Sequence, residues 1–240
     1  YSRIPKKVIT SGEAISEIVK SVSGVKSENV KSISAGVDFR RFDFKIDGQK
    51  IREELDVKPG QILIGKIGVI RGWKGYDYLL KAAPIVLKKY PETRFVFVGR
   101  GPGFEKIKSI TKSLGLENVL TLMGHREDIP EIMAALDIQV LASFTGEGTP
   151  QVIPQAFAMK TPLVATRVGS VPELLDQGER GILVEPKNSI EIAQGIIKLI
   201  ENPNIKIDNA EKAYEFCKSK LGIDRMIDET ISIYEETLNN

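Results

Sequence analysis

Short apolar runs separated by segments with helical periodicity dominate the sequence between residues 61 and 184. Each run is rich in Ile, Leu and Val and ends at a glycine or a polar turn, which is typical of strands buried in a parallel sheet. The runs are 61–69, 94–99, 119–124, 138–143, 162–166 and 181–184. Because alternating strands and helices build a parallel sheet with helices on both faces, we predict an α/β, Rossmann-like fold.

The side chains best suited to binding a polar ligand come directly after these predicted strands. They are Arg71, Lys74, Arg126, Glu147 and Gln155. The carboxyl ends of parallel strands meet at one edge of a sheet, and open α/β sheets bind their ligands there. We therefore expect these side chains to converge on one cleft.

Residues 144–173 contain the densest group of binding features. The turn at 146–150 is rich in glycine, which tolerates positive φ and lets ligand atoms approach the backbone. A short apolar helix follows from about Val152, so its unpaired N–H groups would point toward whatever Glu147 also contacts. A carboxylate beside backbone donors suits a ligand with hydroxyls and phosphates, which predicts a nucleotide-sugar site. The residues expected to contact the donor here are Gly148, Thr149, Pro150, Gln151, Val152 and Gln155.

Glu147 and Gln155 are separated by seven residues, and apolar runs follow at 156–158 and 162–166. This pattern resembles the Glu-x(7)-Glu signature of the retaining group 1 glycosyltransferases, which have the GT-B fold. In that family the first Glu lies near the hydroxyls of the donor sugar, and the second usually accepts from the ribose hydroxyls. This sequence departs from the signature, because Gln155 replaces the second Glu. A glutamine carbonyl still accepts a hydroxyl proton, without charge and more weakly.

A basic loop punctuated by glycines follows the predicted strand 61–69 and carries Arg71 and Lys74. Cations at the carboxyl end of a strand are well placed to bind an anion, although a solvated loop has the same composition. The family has an Arg and a Lys-Gly step here that hold the donor diphosphate, so the resemblance implies this role for both residues. The resemblance also implies that the turn at Gly101 lines the donor pocket. The alternative is that this turn only packs a strand closely against the helix that follows it. By the same resemblance, the backbone around Arg126 lies against the nucleotide base.

The composition argues against several classes of protein. The net charge of the 240 residues is +2, with no block of like charge, which gives no case for a nucleic-acid partner. The single cysteine, Cys217, excludes an internal disulfide and fits a reducing compartment. No apolar run approaches the roughly 18 residues of a membrane span. We expect a cytoplasmic protein, which a lipid-linked acceptor would bring to the inner face of the membrane.

The sequence begins at Tyr1 rather than Met, and a predicted strand, helix and strand precede residues 36–38. The resemblance assigns residues 1–38 to the tail of an N-terminal acceptor domain and the crossover from it, although any α/β unit fits this pattern. Residues 39–240 are then the donor-binding domain, with C-terminal helices at roughly 209–219 and 224–238. On this interpretation the chain is a fragment that lacks its acceptor domain, and alone it binds donor weakly and transfers nothing.

The resemblance implies transfer of a sugar from a nucleoside-diphosphate sugar, with UDP favoured, to a hydroxyl acceptor with retention at the anomeric carbon. Lys74 and Arg71 would stabilise the leaving diphosphate, and Glu147 would orient the sugar. No Asp-x-Asp pair or His/Cys cluster is present in the sequence to hold a metal, so we expect neither metal nor cofactor. Members of the family most often act in the synthesis of a cell-surface polysaccharide or glycolipid, and we expect the same role here by analogy alone.

Two other interpretations remain open at this point. An epimerase or phosphorolytic enzyme of the same fold would need its own histidine or carboxylate pair, or a lysine that holds pyridoxal phosphate. Lys74 is the one candidate for that lysine on a suitable loop. Alternatively, Gln155 signals a relative that binds nucleotide sugars or acts as a scaffold without catalysis.

Overall fold

Two parallel sheets form the framework of the chain, of which the computed structural model describes residues 5–239. The smaller sheet consists of β1 (Val8–Thr10) and β2 (Val30–Ser32), with α1 (Glu13–Val22) between them in sequence. The larger sheet has six strands. Its strands are β3 (Leu63–Ile67), β4 (Arg94–Val98), β5 (Leu120–Gly124), β6 (Ile138–Leu141), β7 (Leu163–Thr166) and β8 (Ile182–Val184).

The strands of the larger sheet lie in the order β5-β4-β3-β6-β7-β8, and all neighbours are parallel. The order reverses between β3 and β6, which are adjacent although β4 and β5 separate them in sequence. Loops that leave the two strands on either side of such a reversal diverge and leave a crevice, where ligands of open α/β sheets bind. This topology confirms the predicted α/β, Rossmann-like fold.

Helices cover both faces of the larger sheet. The remaining helices are α2 (Gln49–Glu54), α3 (Tyr76–Lys89), α4 (Phe104–Ser113), α5 (Ile129–Ala135), α6 (Val152–Ala158), α7 (Val171–Leu174), α8 (Ser189–Glu201), α9 (Pro203–Lys220) and α10 (Ile223–Leu238). On one face, Leu79 of α3 and Ile196 of α8 share a buried cluster with Val164 of β7. On the other, Phe157 of α6 packs with Ala165, whose side chain points away from that of Val164 because successive strand residues alternate.

The C-terminal helices differ from the prediction. The first begins at Pro203, directly after α8, rather than near residue 209. Proline is tolerated in the first turn of a helix, where its missing N–H needs no acceptor, so Pro203 starts this helix as well as ending the previous one. Within residues 5–239, every helix is too short or too polar to cross a lipid bilayer.

The N-terminal unit, which contains β1, α1 and β2, contacts the segment before α10 at Val37. Val37 pairs with Gly222 in a parallel bridge, in which the amide of Val37 donates to Leu221 O at 2.8 Å and that of Ile223 donates to Val37 O at 3.0 Å. Beyond this point α10 returns toward β1, where Lys7 and Glu236 form a 2.7 Å ion pair. The division at residue 38 stays a prediction.

Gly75 provides a test of how closely the loop after β3 approaches β6. Its φ is 68°, and a Cβ at this position would overlap the carbonyl oxygen of Ala142. We expect Gly75→Ala to lower the free energy of unfolding by about 1–3 kcal/mol, measured by urea denaturation. Gly72→Ala is the matched control, because a Cβ there would have no atom within 4 Å and the φ of Gly72 is not positive. Equal stability of the two variants would show that the loop is not held against β6.

Candidate functional site

A cavity of about 180 Å³ lies at the carboxyl edge of the sheet, between β3 and β6, where the strand order reverses. One wall is formed by the end of β3 and the turn that follows it, and the other by the start of α6. Five residues predicted from the sequence line it, namely Lys74, Pro150, Gln151, Val152 and Gln155. The structure therefore brings the basic loop and the start of α6 to the same cavity, as the positions after strands predict.

Lys74 and Glu147 are in direct contact beside this cavity. Lys74 Nζ lies 2.6 Å from Glu147 Oε1, and Ser143 Oγ lies 2.5 Å from the same oxygen. Glu147 is 5% exposed, so the ion pair is largely screened from water. In the described part of the chain, Glu147 Oε2 accepts no hydrogen bond. One carboxylate oxygen is thus held by Lys74 and Ser143, and the other has no partner among these residues, although Glu147 itself is not among the residues that line the cavity.

The start of α6 supplies backbone donors to the same cavity. Ile153 N donates to Pro150 O at 2.9 Å and Gln155 N donates to Gln151 O at 3.2 Å. The amides of Gln151 and Val152 have no acceptor among residues 5–239, as expected for the first N–H groups of a helix. Both residues line the cavity, so an anionic ligand there would meet two unpaired N–H groups.

Lys66, which was not among the residues predicted from the sequence, is a further cation of this cavity. It lies in β3, is 2% exposed, and lines the cavity with Lys74. Its Nζ lies 4.6 Å from the centre of the Tyr76 ring, and no carboxylate within residues 5–239 bonds to it. Burial, and after it the charge of neighbouring Lys74, lower the pKa of Lys66 to about 7, against the opposing effects of Glu147 and Asp77.

A signal for Lys66 was present in the sequence. Lysine is almost never fully buried without a partner, because removing its charge from water is costly. A lysine within an apolar run that predicts a central strand is therefore a candidate functional residue in its own right. The predicted cations, by contrast, all came from loops that follow strands.

Arg71 does not line the cavity. It is exposed and lies in a separate hollow with Asp77 and Lys106. Arg71 directly precedes the 3-10 turn Gly72–Lys74, in which Lys74 is the last residue, and the two side chains line different hollows. The cation that accompanies Lys74 in the cavity is Lys66. The predicted catalytic role of Arg71 is not tested by this arrangement and has no support from it.

Arg126 is engaged with other side chains. Its guanidinium lies 2.6 Å from a carboxylate oxygen of Glu54 and 2.5 Å from one of Asp128. The hydrogen bonds that Arg126 donates to Asp128 and, as the second cause, to Glu54 raise the pKa of Arg126. The side chain thus ties α2 to the loop before α5, while the predicted contact of the backbone with a base stays a prediction. Gly101 packs against the backbone of Ile70 and does not line the cavity.

Gly148 and Thr149 face the N-terminal unit rather than the cavity. Thr149 Oγ1 donates to the carbonyl oxygen of Ser11, and a Cβ at Gly148 would overlap Ser11 Oγ. The turn that carries Glu147 is therefore held on two sides, by Lys74 from the larger sheet and by Ser11 from the segment before α1. Their predicted contact with a donor stays untested.

Lys66 makes stability depend on pH. Between its folded pKa of about 7 and the unfolded value near 10.4, the unfolded chain holds the proton and the folded chain does not. Stability relative to Lys66→Met should therefore rise as the pH increases above 7, by at most about 1.4 kcal/mol per unit. Urea denaturation at several pH values from 7 to 9 measures this difference. The same comparison with the exposed Lys81→Met is the control and should give a difference in unfolding free energy that does not change with pH. If the difference for Lys66→Met were also independent of pH, the pKa of Lys66 would not be lowered in the folded protein.

Comparison with known proteins places the chain among glycosyltransferases. A family model described as glycosyl transferases group 1 matches residues 47–216. An uncharacterized glycosyltransferase of Haemophilus influenzae is 32% identical over 164 residues, which are 68% of this chain and 46% of that protein. Alpha-D-kanosaminyltransferase of Streptomyces kanamyceticus is 28% identical over 206 residues, 84% of this chain and 52% of that protein. The chain spans about half the length of these relatives.

Solved structures also superpose on nearly the whole chain. The crystal structure of Anabaena HepE in complex with UDP and glucose has a TM-score of 0.86 and 28% identity, and the match covers 95% of this chain and 63% of that one. HepE in complex with UDP-glucose gives a TM-score of 0.89 and 26% identity over 99% and 65% of the two chains. These findings confirm the resemblance of residues 147–166 to the group 1 glycosyltransferases, while retention at the anomeric carbon stays a prediction. With its family model matched over residues 47–216, the chain belongs to the group 1 glycosyl transferases.

Proposed function

We propose that this protein transfers a sugar from a nucleoside-diphosphate sugar to a hydroxyl acceptor, with retention of configuration at the anomeric carbon. The observation that carries the proposal is the cavity between β3 and β6, which Lys66, Lys74 and the start of α6 line and beside which Lys74 contacts the carboxylate of Glu147. UDP is the favoured nucleotide, because Anabaena HepE, a relative with 28% identity, has been crystallised with UDP.

The diphosphate would occupy the space between the two lysines. Both lysines line the cavity, and the amides of Gln151 and Val152 are available to it at the start of α6. A phosphate near Lys66 would also favour the charged form of that lysine, because an opposite charge raises the pKa of an ammonium group. Gln155 lines the same cavity, and its carbonyl would accept from a ribose hydroxyl.

Transfer requires the bond between the anomeric carbon and the diphosphate to break. Negative charge then gathers on the leaving phosphate, and fixed donors around it lower the barrier, each by about 3 kcal/mol in measured cases. Lys66 and Lys74 supply this charge in the proposed mechanism, which therefore needs no metal ion. Glu147, through its unpaired Oε2, would orient a sugar hydroxyl and steady the positive charge that develops on the ring.

The acceptor would be bound by a separate N-terminal domain, of which residues 1–38 form the tail. The chain spans about half the length of its curated relatives, so the complete reaction is proposed for the whole protein. We propose that the isolated chain binds donor weakly and transfers nothing. A cytoplasmic location with a polysaccharide or lipid-linked acceptor at the inner membrane face follows the family analogy, and no nucleic-acid partner is proposed.

Two substitutions separate donor binding from transfer. Lys74→Ala removes a phosphate partner, so we expect UDP affinity measured by calorimetry to fall about 10-fold or more. Glu147→Gln frees Lys74 from its carboxylate, so UDP should bind at least as tightly while transfer in the full-length protein falls about 10²–10³-fold. Lys81→Ala, an exposed lysine of α3, serves as the control and should match the wild type.

Calorimetry with UDP, GDP and ADP also identifies the base. Failure of the full-length wild type to bind any of the three would contradict the proposed function and favour a scaffolding role. Normal turnover in both Lys74→Ala and Glu147→Gln would show that the reaction does not use this site.

A further inference from the structure

Trp73 is the only tryptophan of the sequence and immediately precedes Lys74 in the turn between β3 and α3. We propose that it is a positioning residue, which fixes the ammonium of Lys74 and the turn at Gly146 and Glu147 in the arrangement that meets the donor diphosphate. The inference rests on the proposed function and assigns a specific task to a residue that does not itself line the cavity.

The first observation concerns the ammonium group of Lys74. Its Nζ lies 4.2 Å from the centre of the Trp73 ring and 2.6 Å from Glu147 Oε1. The cation is thus held between the negative face of an aromatic ring and a carboxylate. A lysine on a long flexible stem has many rotamers, and two such contacts select one of them. The position of the charge is therefore fixed before a ligand arrives.

The second observation concerns the turn that carries Glu147. A Cβ built on Gly146 would lie 3.6 Å from two carbons of the Trp73 ring, so the backbone of this glycine packs on the ring. The φ of Gly146 is 75°, a conformation in which the absence of a side chain is an advantage. Phe144 N also donates to Trp73 O at 3.0 Å. Trp73 belongs to the loop after β3 and also contacts the loop after β6. These two loops bound the cavity.

The third observation is that Trp73 takes no part in the interior packing. It is half-buried and belongs to none of the three buried hydrophobic clusters of residues 5–239. A large aromatic side chain usually stabilises a protein through a core, and this one instead packs on a lysine and a glycine beside the cavity. Its loss should consequently disturb the geometry of the site more than the fold. A site that stabilises charge must hold its donors within a fraction of an ångström of the required position. The contacts of Trp73 with Lys74 and Gly146 would therefore affect the reaction.

The ligand-free 240-residue chain supplies the first test, because all of its tryptophan fluorescence comes from Trp73. Lys74→Met removes the cation above the Trp73 ring. We therefore expect the emission maximum and quantum yield of Trp73 in this variant to differ from those in the wild type. Lys81→Met, which removes a lysine beside Tyr78 instead, should leave the emission unchanged. Identical spectra for Lys74→Met and the wild type would overturn the proposed contact.

A double-mutant cycle in the full-length protein supplies the second test. We expect Trp73→Leu to lower kcat/KM for the UDP-sugar about 10- to 100-fold, mainly through kcat, because charge develops on the leaving phosphate in the transition state. Trp73→Phe, which keeps an aromatic face, should recover most of the activity. In a Lys74→Met background, Trp73→Leu should have less than about a 3-fold further effect, since the group that it positions is absent.

The outcomes distinguish this inference from the proposed function. If the wild type transfers sugar and Trp73→Leu does so at the same rate, the positioning role is wrong and the glycosyltransferase function stands. Equal effects of Trp73→Leu with and without Lys74 would likewise overturn it, because the effect would not pass through the lysine. A wild type that neither binds UDP nor transfers sugar would overturn both. If Trp73→Leu fails to fold, Trp73→Phe and the emission of Lys74→Met still decide the question.

Discussion

The ion pair between Lys74 and Glu147 joins two parts of the chain that are 73 residues apart in sequence. Lys74 follows β3 and Glu147 follows β6, and the two strands are neighbours because the order of the sheet reverses between them. The site therefore depends on the topology of the sheet more than on either loop alone. Gly75 against Ala142, and Trp73 against Gly146, are the close approaches that permit the pair to form.

The site holds two lysines beside one carboxylate in a poorly solvated space. Lys74 is neutralised by Glu147, whereas Lys66 lies buried in β3 without a carboxylate bonded to it within the described residues. Keeping an unpaired ammonium group out of water is unfavourable, and the lysine avoids this cost by losing its proton, which is why its pKa is lowered. An anion in the cavity removes that cost, so the same burial that destabilises the ligand-free protein favours the binding of a diphosphate.

The sequence was sufficient for the order of strands and helices and for the meeting of Lys74, Glu147 and Gln155, because apolar periodicity locates strand ends and strand ends share one edge. It was insufficient for the direction of side chains within loops. Arg71 is only one turn from Lys74 yet lies in another hollow, and Thr149 turns toward Ser11 through a contact that no local pattern encodes. Lys66 lies within β3 rather than in a loop after a strand, so the positions of strand ends do not point to it.

A crystal structure of the protein with UDP bound tests the central claim most directly. We predict that the diphosphate lies within salt-bridge distance of both Lys66 Nζ and Lys74 Nζ, with the amides of Gln151 and Val152 donating to its oxygens. A nucleotide bound elsewhere, with Lys74 still paired to Glu147 and Lys66 without a contact, would contradict this account.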